Sequence, residues 1–544
     1  MAELSYAVGE TTPPLLDQTI GDNLDATVAR WPERLALVDC AQDIRWTYAE
    51  FAAEVDTMAR ALLAVGLQGG DRVGIWSPNC AEWTVVQYAT AKIGAILVNI
   101  NPAYRSHELT YVLNQAGIRM LVTAESFKTS NYVGMIEAVR GSVPSLEHVI
   151  VIGRGSWADL VAMADSVPAQ TLAQVQSTLR PHDAINIQYT SGTTGFPKGA
   201  TLSHHNILNN GYLVGEVCRY TEEDLVCIPV PFYHCFGMVM GNLACTSHGA
   251  AMVIPAPGFD PAATLAAVTA ERCTSLYGVP TMFIAQWAIL EAEGADTAYD
   301  ISSVRTGIMA GSPCPATMMS KLIDAGITQM TICYGMTETS PVSTQTRTDD
   351  SFENKVSTVG QVVPHVEIKV IDPLTGQTLP RGQAGEFCTK GYSVMLGYWG
   401  DPEKSAEAVV DGWMRTGDIA VMDADGFVQI TGRIKDMVIR GGENIYPREI
   451  EEFLYTHPDV LDAQVIGVPD PKYGEELCAW IRMREGTEPL TAQAVRSFAT
   501  GKLAHYKIPR YVRIVDDFPM TVTGKVRKVE MREISVSELG LGPG

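Results

Sequence analysis

No stretch of the 544-residue chain is long and uncharged enough to span a bilayer, so an integral membrane role is not expected. The segment Met1 to Leu15 lacks the basic-then-apolar pattern of a secretory signal, and a cytoplasmic address is expected in its place. Positive charge is scarce. Forty Lys and Arg stand against 62 Asp and Glu, a formal net charge of −22, which argues against general nucleic-acid binding. Paired cysteines are missing as well: eleven are scattered without Cys-x-x-Cys pairs or the histidine spacings of a zinc cage. Most lie in apolar runs, as Cys227 and Cys333 do, and read as small core residues in a reducing compartment. Internal repeats are absent too.

What remains is an ordinary globular composition, 46% hydrophobic and 19% charged, in a chain too long for one core. From Leu35 to about residue 155, strand-like runs alternate with amphipathic helices. Thr47 and Glu50 make a capping-box pattern before a helix to about Val65, and Ser106 is expected to cap another. Strands are predicted at Arg72 to Trp76, Ile96 to Ile100 and Arg119 to Thr123, and further on at Thr274 to Gly278, Val304 to Ala310 and Gln329 to Tyr334. From about Gly360 glycine-punctuated β runs suggest a small barrel or antiparallel unit, and beyond Arg433 a compact α/β unit begins. The tail from Ser535 reads as disordered. The expected fold is α/β: a large N-terminal domain, 1–434, of two βαβ-layered sheets plus a small β-barrel, then a smaller mobile α+β domain, 435–544.

The most informative segment is Tyr189-Thr190-Ser191-Gly192-Thr193-Thr194-Gly195-Phe196-Pro197-Lys198-Gly199, which follows the alternating strand pattern Ala184 to Tyr189. Glycines let a backbone approach a polyphosphate, hydroxyls and N–H groups bond its oxygens, and a lysine neutralises charge. A helix is expected soon after, with Ser203 as its N-cap. The spacing is not that of a Walker A loop, which needs Gly-Lys followed by Ser or Thr; here Lys198 precedes Gly199. Basic residues gather near the C-terminus (Lys502, Lys507, Arg510, Arg513, Lys525, Arg527, Lys528, Arg532), and read either as a solvated face or as an electropositive lid for phosphates.

Five further segments occur in one order: Pro231 to Gly237 with His234, Ala310-Gly311-Ser312-Pro313, Tyr334-Gly335-Met336-Thr337-Glu338-Thr339, Thr416-Gly417-Asp418 with Gly432 to Asp436, and Thr523-Gly524-Lys525. At these residues the chain resembles the adenylate-forming superfamily of acyl-CoA synthetases, peptide-synthetase adenylation domains and luciferases. The resemblance covers about residue 20 to residue 532 and is greatest, around His234 and Ala310, to the fatty acyl-CoA synthetase branch.

The resemblance implies two half-reactions. A carboxylate attacks the α-phosphate of ATP, giving acyl-adenylate and pyrophosphate, and a thiol, usually that of coenzyme A, then displaces AMP. It places the triphosphate on Thr190, Ser191, Gly192, Thr193, Thr194, Gly195 and Lys198, with Mg²⁺ on Thr193 and Glu338. Adenine goes to Tyr334, Gly335 and Thr337 near Gly311 and Ser312, and the ribose to Asp418 with Arg433 close by. Lys435 matches the hinge, while Arg440, Gly441, Gly442 and Glu443 match the loop that approaches the site for thioester formation. His234 stands at the rim of the acyl pocket, and Lys525 is the principal catalytic residue.

Read without the resemblance, several of these residues keep plainer roles. Asp418 also suits a turn, Tyr334 a core aromatic, His234 a hydrogen-bonded structural histidine and Arg433 a surface ion pair with Asp436. Apolar, small-residue stretches at His234 to Gly241 and Val279 to Phe283 suit a hydrocarbon tail, with medium length preferred. Expected partners are thus a fatty acid, ATP and coenzyme A, with no nucleic acid; transient peripheral membrane contact and a homodimer stay open. The competing readings are a stand-alone enzyme that loads an acyl carrier protein, a luciferase-like oxidase, and a nucleotide-binding regulator with a dead site.

Overall fold

The structure is a computed structural model that describes residues 3–190, 197–293, 298–441, 443–520 and 526–541. Two sheets form the body of the large N-terminal part. The first has seven strands, with Ile96–Asn99, Arg72–Trp76, Met120–Thr123 and His148–Val151 running parallel and adjacent in that order. Beyond Ile96–Asn99 lie Ala184–Thr190, Lys198–Ser203 and the two-residue strand Gly397–Tyr398. Nine strands make the second sheet, whose parallel centre includes Ser275–Gly278, Thr306–Ala310 and Gln329–Gly335. These strands are apolar on both faces, because helices cover the sheets on both sides. Buried Trp83, Phe51 and Tyr88 belong to a core that reaches from one sheet to the other.

The third unit is an antiparallel six-stranded sheet that recruits Tyr6–Val8 from the N-terminus to pair with Val366–Ile371. The fourth is a five-stranded sheet of residues 438–514 flanked by the helices Pro447–Tyr455 and Lys528–Glu538. Strand Val428–Arg433 belongs to the third unit and Val438–Arg440 to the fourth. The sheet pairing therefore changes over residues 434–437.

Capping follows the sequence at most sites. Thr47 with Glu50 closes a capping box on Tyr48–Ala64, and Ser203 with Asn206 does so on His204–Val217. Ser106 does not cap: it is the first helical residue, and Arg105 occupies the cap with Glu108 reaching back to its N–H. The tail reading also needs correction. Helix Lys528–Glu538 runs through Ser535, which is fully buried and accepts from Trp480 Nε1 at 2.9 Å. Ten of the eleven cysteines are buried, Cys40 being the exposed one. No described helix is long and apolar enough to cross a membrane.

The basic cluster near the C-terminus is largely neutralised within its own unit. Lys507 pairs with Glu449, Arg510 with Asp470, Arg513 with Glu538, Arg527 with Glu530, Lys528 with Glu451 and Arg532 with Glu475. These six cations do not form an electropositive lid.

One buried histidine gives the fold a pH dependence. His204 is fully buried, accepts from the Ile20 N–H at Nδ1 and has its pKa pushed down by burial to about 4. The unfolded chain binds this proton at the ordinary histidine value near 6.5, so between about pH 6.5 and 4 the unfolded state carries more protons. Stability falls as pH drops through that window, by on the order of 3 kcal/mol from this residue. His204→Asn keeps an acceptor for Ile20 and removes the titration. Its thermal midpoint is expected to decline less steeply than the native one from pH 7 to pH 4. Parallel curves would remove His204 from the acid sensitivity.

Candidate active site

Two clusters of side chains meet at the C-terminal ends of the parallel strands, where open α/β sheets gather their ligands. The first is built on a hairpin. Thr190 ends one strand and Lys198 opens the next, the two being register partners in an antiparallel pair. The helix expected soon after, His204–Val217 with Ser203 as its N-cap, is present, and strand Lys198–Ser203, which the sequence reading did not include, precedes it. Ser191, Gly192, Thr193, Thr194 and Gly195 lie outside the described residues.

Glu338 sits in the short 3₁₀ turn Thr337–Thr339 after strand Gln329–Gly335 and is 5% exposed. Its Oε1 accepts from the Tyr398 hydroxyl at 2.8 Å and lies 3.4 Å from Thr190 Oγ1. Thr190 Oγ1 is equally 3.4 Å from the Lys198 carbonyl, so its single proton serves one or the other. Lys198 Nζ donates to the Tyr398 hydroxyl at 3.1 Å. Among the described residues both hydrogen bonds to the Glu338 carboxylate fall on Oε1. A buried carboxylate whose second oxygen is uncommitted among the described residues suits a hard divalent cation such as Mg²⁺.

The second cluster joins the nine-stranded and antiparallel sheets. Tyr334 is the penultimate residue of strand Gln329–Gly335 and donates its hydroxyl to Asp418 Oδ2 at 2.6 Å. Arg433 Nε lies 2.9 Å from Asp418 Oδ1, and the two residues are register partners on neighbouring strands. Arg433 thus makes an ion pair with Asp418 and not with Asp436, three residues along the chain. Burial, then the Asp418 charge, pushes the Tyr334 phenol well above its ordinary value, so it stays protonated as a donor. Asp418 is itself aimed by its neighbours. Its N–H donates to Thr416 Oγ1 at 3.1 Å, Thr416 Oγ1 donates to the Phe387 carbonyl at 2.7 Å, and the Gly417 N–H reaches Glu386 Oε1 at 3.2 Å. Gly417 has φ +71°, a left-handed conformation that glycine adopts without strain. Glu386, buried and bridged to Arg415, is a supporting residue that sequence reading missed. Its signal, a glutamate in a β run, is indistinguishable from a surface strand residue.

Gly311 and Ser312 follow strand Thr306–Ala310 and are exposed at the same strand ends. His234 is the N-cap of the single turn Cys235–Gly237, its ring edge-on to Tyr233 at 6.0 Å. A Cβ on Gly237 would come 2.3 Å from the Pro231 carbonyl, so only glycine lets this turn fold back. A π-helical stretch, Met238–Leu243, follows directly, a geometry often found beside functional sites. In the C-terminal unit Arg440 is bidentate on buried Glu476, at 2.7 and 2.8 Å, and stacks over Tyr473. Its guanidinium therefore anchors the hairpin turn that Gly441 begins and whose second strand starts at Glu443. Lys435 lies in the turn Ile434–Asp436. Gly442 and Lys525 fall outside the described residues.

Residues 24–399 match the family described as AMP-binding enzyme, and 449–525 match its C-terminal domain. The chain belongs to the AMP-binding enzymes. Among similar members is the mitochondrial medium-chain acyl-CoA ligase ACSF2 of Danio rerio, 45% identical over 559 residues, covering 99% of this chain and 91% of that one. Among solved structures, ATP-bound MatB of Rhodopseudomonas palustris superimposes with a TM-score of 0.84 at 32% identity, covering 96% and 99% of the two chains. The anthranilate CoA ligase AuaEII in complex with anthranoyl-AMP gives 0.84 at 27% identity, covering 97% and 99%. For this AMP-binding enzyme, the two clusters mark where nucleotide chemistry is to be sought.

Proposed function

We propose that this AMP-binding enzyme is an ATP-dependent acyl-CoA ligase that activates a fatty acid of medium chain length and transfers it to coenzyme A. The observation that carries the reading is the convergence of Thr190, Lys198 and Glu338 at one strand end, beside the Tyr334–Asp418–Arg433 network. A cation and a carboxylate side by side suit a metal-bound triphosphate, and a carboxylate framed by a phenol and a guanidinium suits a ribose diol. Medium length is favoured by the likeness to ACSF2, whose name specifies it.

In this reading Lys198 and Thr190, with Ser191 to Gly195, hold the β- and γ-phosphates. Glu338 and Thr193 would hold Mg²⁺, which when bound would neutralise phosphate charge. Tyr334 gives its ring face to adenine beside Gly311, Ser312, Gly335 and Thr337, while Asp418 accepts from the ribose hydroxyls near Arg433. His234 borders the acyl channel and orients the carboxylate. Lys525 stabilises the negative charge that gathers as the acid attacks the α-phosphate, the kind of preorganised electrostatic assistance that dominates such transfers. After pyrophosphate leaves, rotation about Lys435 brings the Arg440-Gly441-Gly442-Glu443 loop to the site, and the thiolate of coenzyme A displaces AMP. Buried, unpaired thiols suit a reducing compartment and a cytoplasmic address for this chain.

The test is pyrophosphate release from ATP and Mg²⁺ across straight-chain acids of graded length, with and without coenzyme A. Acid-dependent release with acyl-CoA as product, greatest at intermediate chain lengths, is the expected result. Acid-dependent pyrophosphate without acyl-CoA would point to an acyl carrier protein as the acceptor, and none with any acid would remove the ligase reading.

A further inference from the structure

Tyr398 is almost wholly buried, and its place in the chain is fixed several times over. The Leu396 and Trp399 N–H groups donate to the Thr201 and Gly199 carbonyls at 2.9 and 2.7 Å, setting the segment against strand Lys198–Ser203. The Tyr398 N–H donates to Ser405 Oγ at 2.8 Å, and that hydroxyl donates onward to the Asp401 carbonyl at 2.6 Å. Gly397 has φ +141°, and a Cβ there would come 3.0 Å from Ser405 Oγ, so the turn before the tyrosine is also restricted.

A side chain held this firmly ends in a hydroxyl set between an ammonium and a carboxylate. It accepts from Lys198 Nζ at 3.1 Å and donates to Glu338 Oε1 at 2.8 Å, while Nζ also lies 4.2 Å from the ring centroid. The sequence positions are 198, 338 and 398, on three different elements, so the packing of the fold itself brings them together. Without the phenol, Lys198 and Glu338 are free to close into a direct ion pair. That pair would occupy both groups and leave neither for a phosphate or a cation.

We propose that Tyr398 is a positioning residue for the metal-bound triphosphate: its hydroxyl fixes Oε1 of Glu338, reserves Oε2 for a divalent cation, and keeps Lys198 from collapsing onto that carboxylate. The inference rests on the ligase reading for the identity of the polyphosphate, and on the hydrogen bonds for the role of the tyrosine. A hydrogen bond to a charged group is commonly worth enough to change a binding constant about tenfold.

The experiment compares the native protein with Tyr398→Phe, which keeps the ring and deletes the hydroxyl. Three readings are taken: the unligated thermal midpoint, the Mg²⁺ concentration that half-saturates the rise in midpoint given by a non-hydrolysable ATP analogue, and the two half-reactions. The expected outcome is an unligated midpoint within about 2 °C of native, about tenfold more Mg²⁺ needed both for the analogue-induced rise and for acyl-adenylate formation, and an unchanged thioester step from preformed adenylate. A Mg²⁺ profile that superimposes on the native one overturns the role. So does an equal loss in both half-reactions, or a fall in the unligated midpoint large enough to explain the deficit. Should the native protein release no pyrophosphate with any acid, the ligase reading fails, while the Mg²⁺ and analogue comparison still decides the part played by Tyr398.

Discussion

Replacing Lys525 with alanine is expected to slow acyl-adenylate formation by about 10²–10³-fold while changing the thioester step from preformed adenylate by less than about threefold. The asymmetry follows from where charge develops. As the acid oxygen approaches the α-phosphate, negative charge accumulates on the transferring centre, and an ammonium held there is worth more in the transition state than in the ground state. In the second step a thiolate attacks a carbonyl carbon and AMP departs, so the phosphorus centre no longer gathers charge. Nearby cations are not expected to compensate. Lys528 donates to Glu451 at 2.6 Å and to the Val465 carbonyl, Arg527 pairs with Glu530, and Arg532 pairs with Glu475. The check is single-turnover measurement of each half-reaction, with the adenylate supplied for the second. Equal loss in both steps would show that Lys525 supports folding or general binding instead of phosphate activation.

The sequence made the strands legible where apolar residues run between polar punctuation. Strand Arg72–Trp76 has the bounds that the pattern gives. Lys198–Ser203 was hidden because its six residues begin on a lysine and a glycine and hold one large apolar side chain, Leu202, so nothing in them marks a period of two. Its identity as a strand comes from two neighbours, Ala184–Thr190 and Gly397–Tyr398, the second of which lies about two hundred residues away. The same distance hid Tyr398 and Glu386. Each supports a motif residue that the sequence shows plainly, yet support across sheets leaves no local pattern. The basic cluster failed for a related reason: Glu449, Glu451, Asp470 and Glu475, which neutralise four of its members, lie on elements that only the folded unit brings close. Asp418 was legible in type, whereas its pairing with Arg433 required the register of two adjoining strands.

Lys435→Pro is expected to leave acyl-adenylate formation within about threefold of native and to lower acyl-CoA formation by about a hundredfold. Residues 434–437 connect a strand of the antiparallel unit to a strand of the C-terminal unit, so a change of backbone angle there turns one against the other. Proline fixes φ near −65° and also drives Ile434 out of the helical region. Ile434–Asp436 now forms a 3₁₀ turn, with the Met437 N–H donating to the Ile434 carbonyl at 3.2 Å. Substitution therefore restricts two consecutive residues of a segment whose proposed use as a hinge demands that they change. In the proposed reaction the adenylation step draws on Lys198, Glu338 and Asp418, all N-terminal to the turn, and needs one arrangement of the two units. In that proposed reaction thioester formation needs another, because the loop from Arg440 to Glu443 is proposed to take the place of Lys525. Separate timing of pyrophosphate release and of acyl-CoA formation from supplied adenylate distinguishes the cases. An unimpaired second step would mean that rotation occurs elsewhere, and loss of the first alone would mean that the restricted turn favours the thioester-forming arrangement.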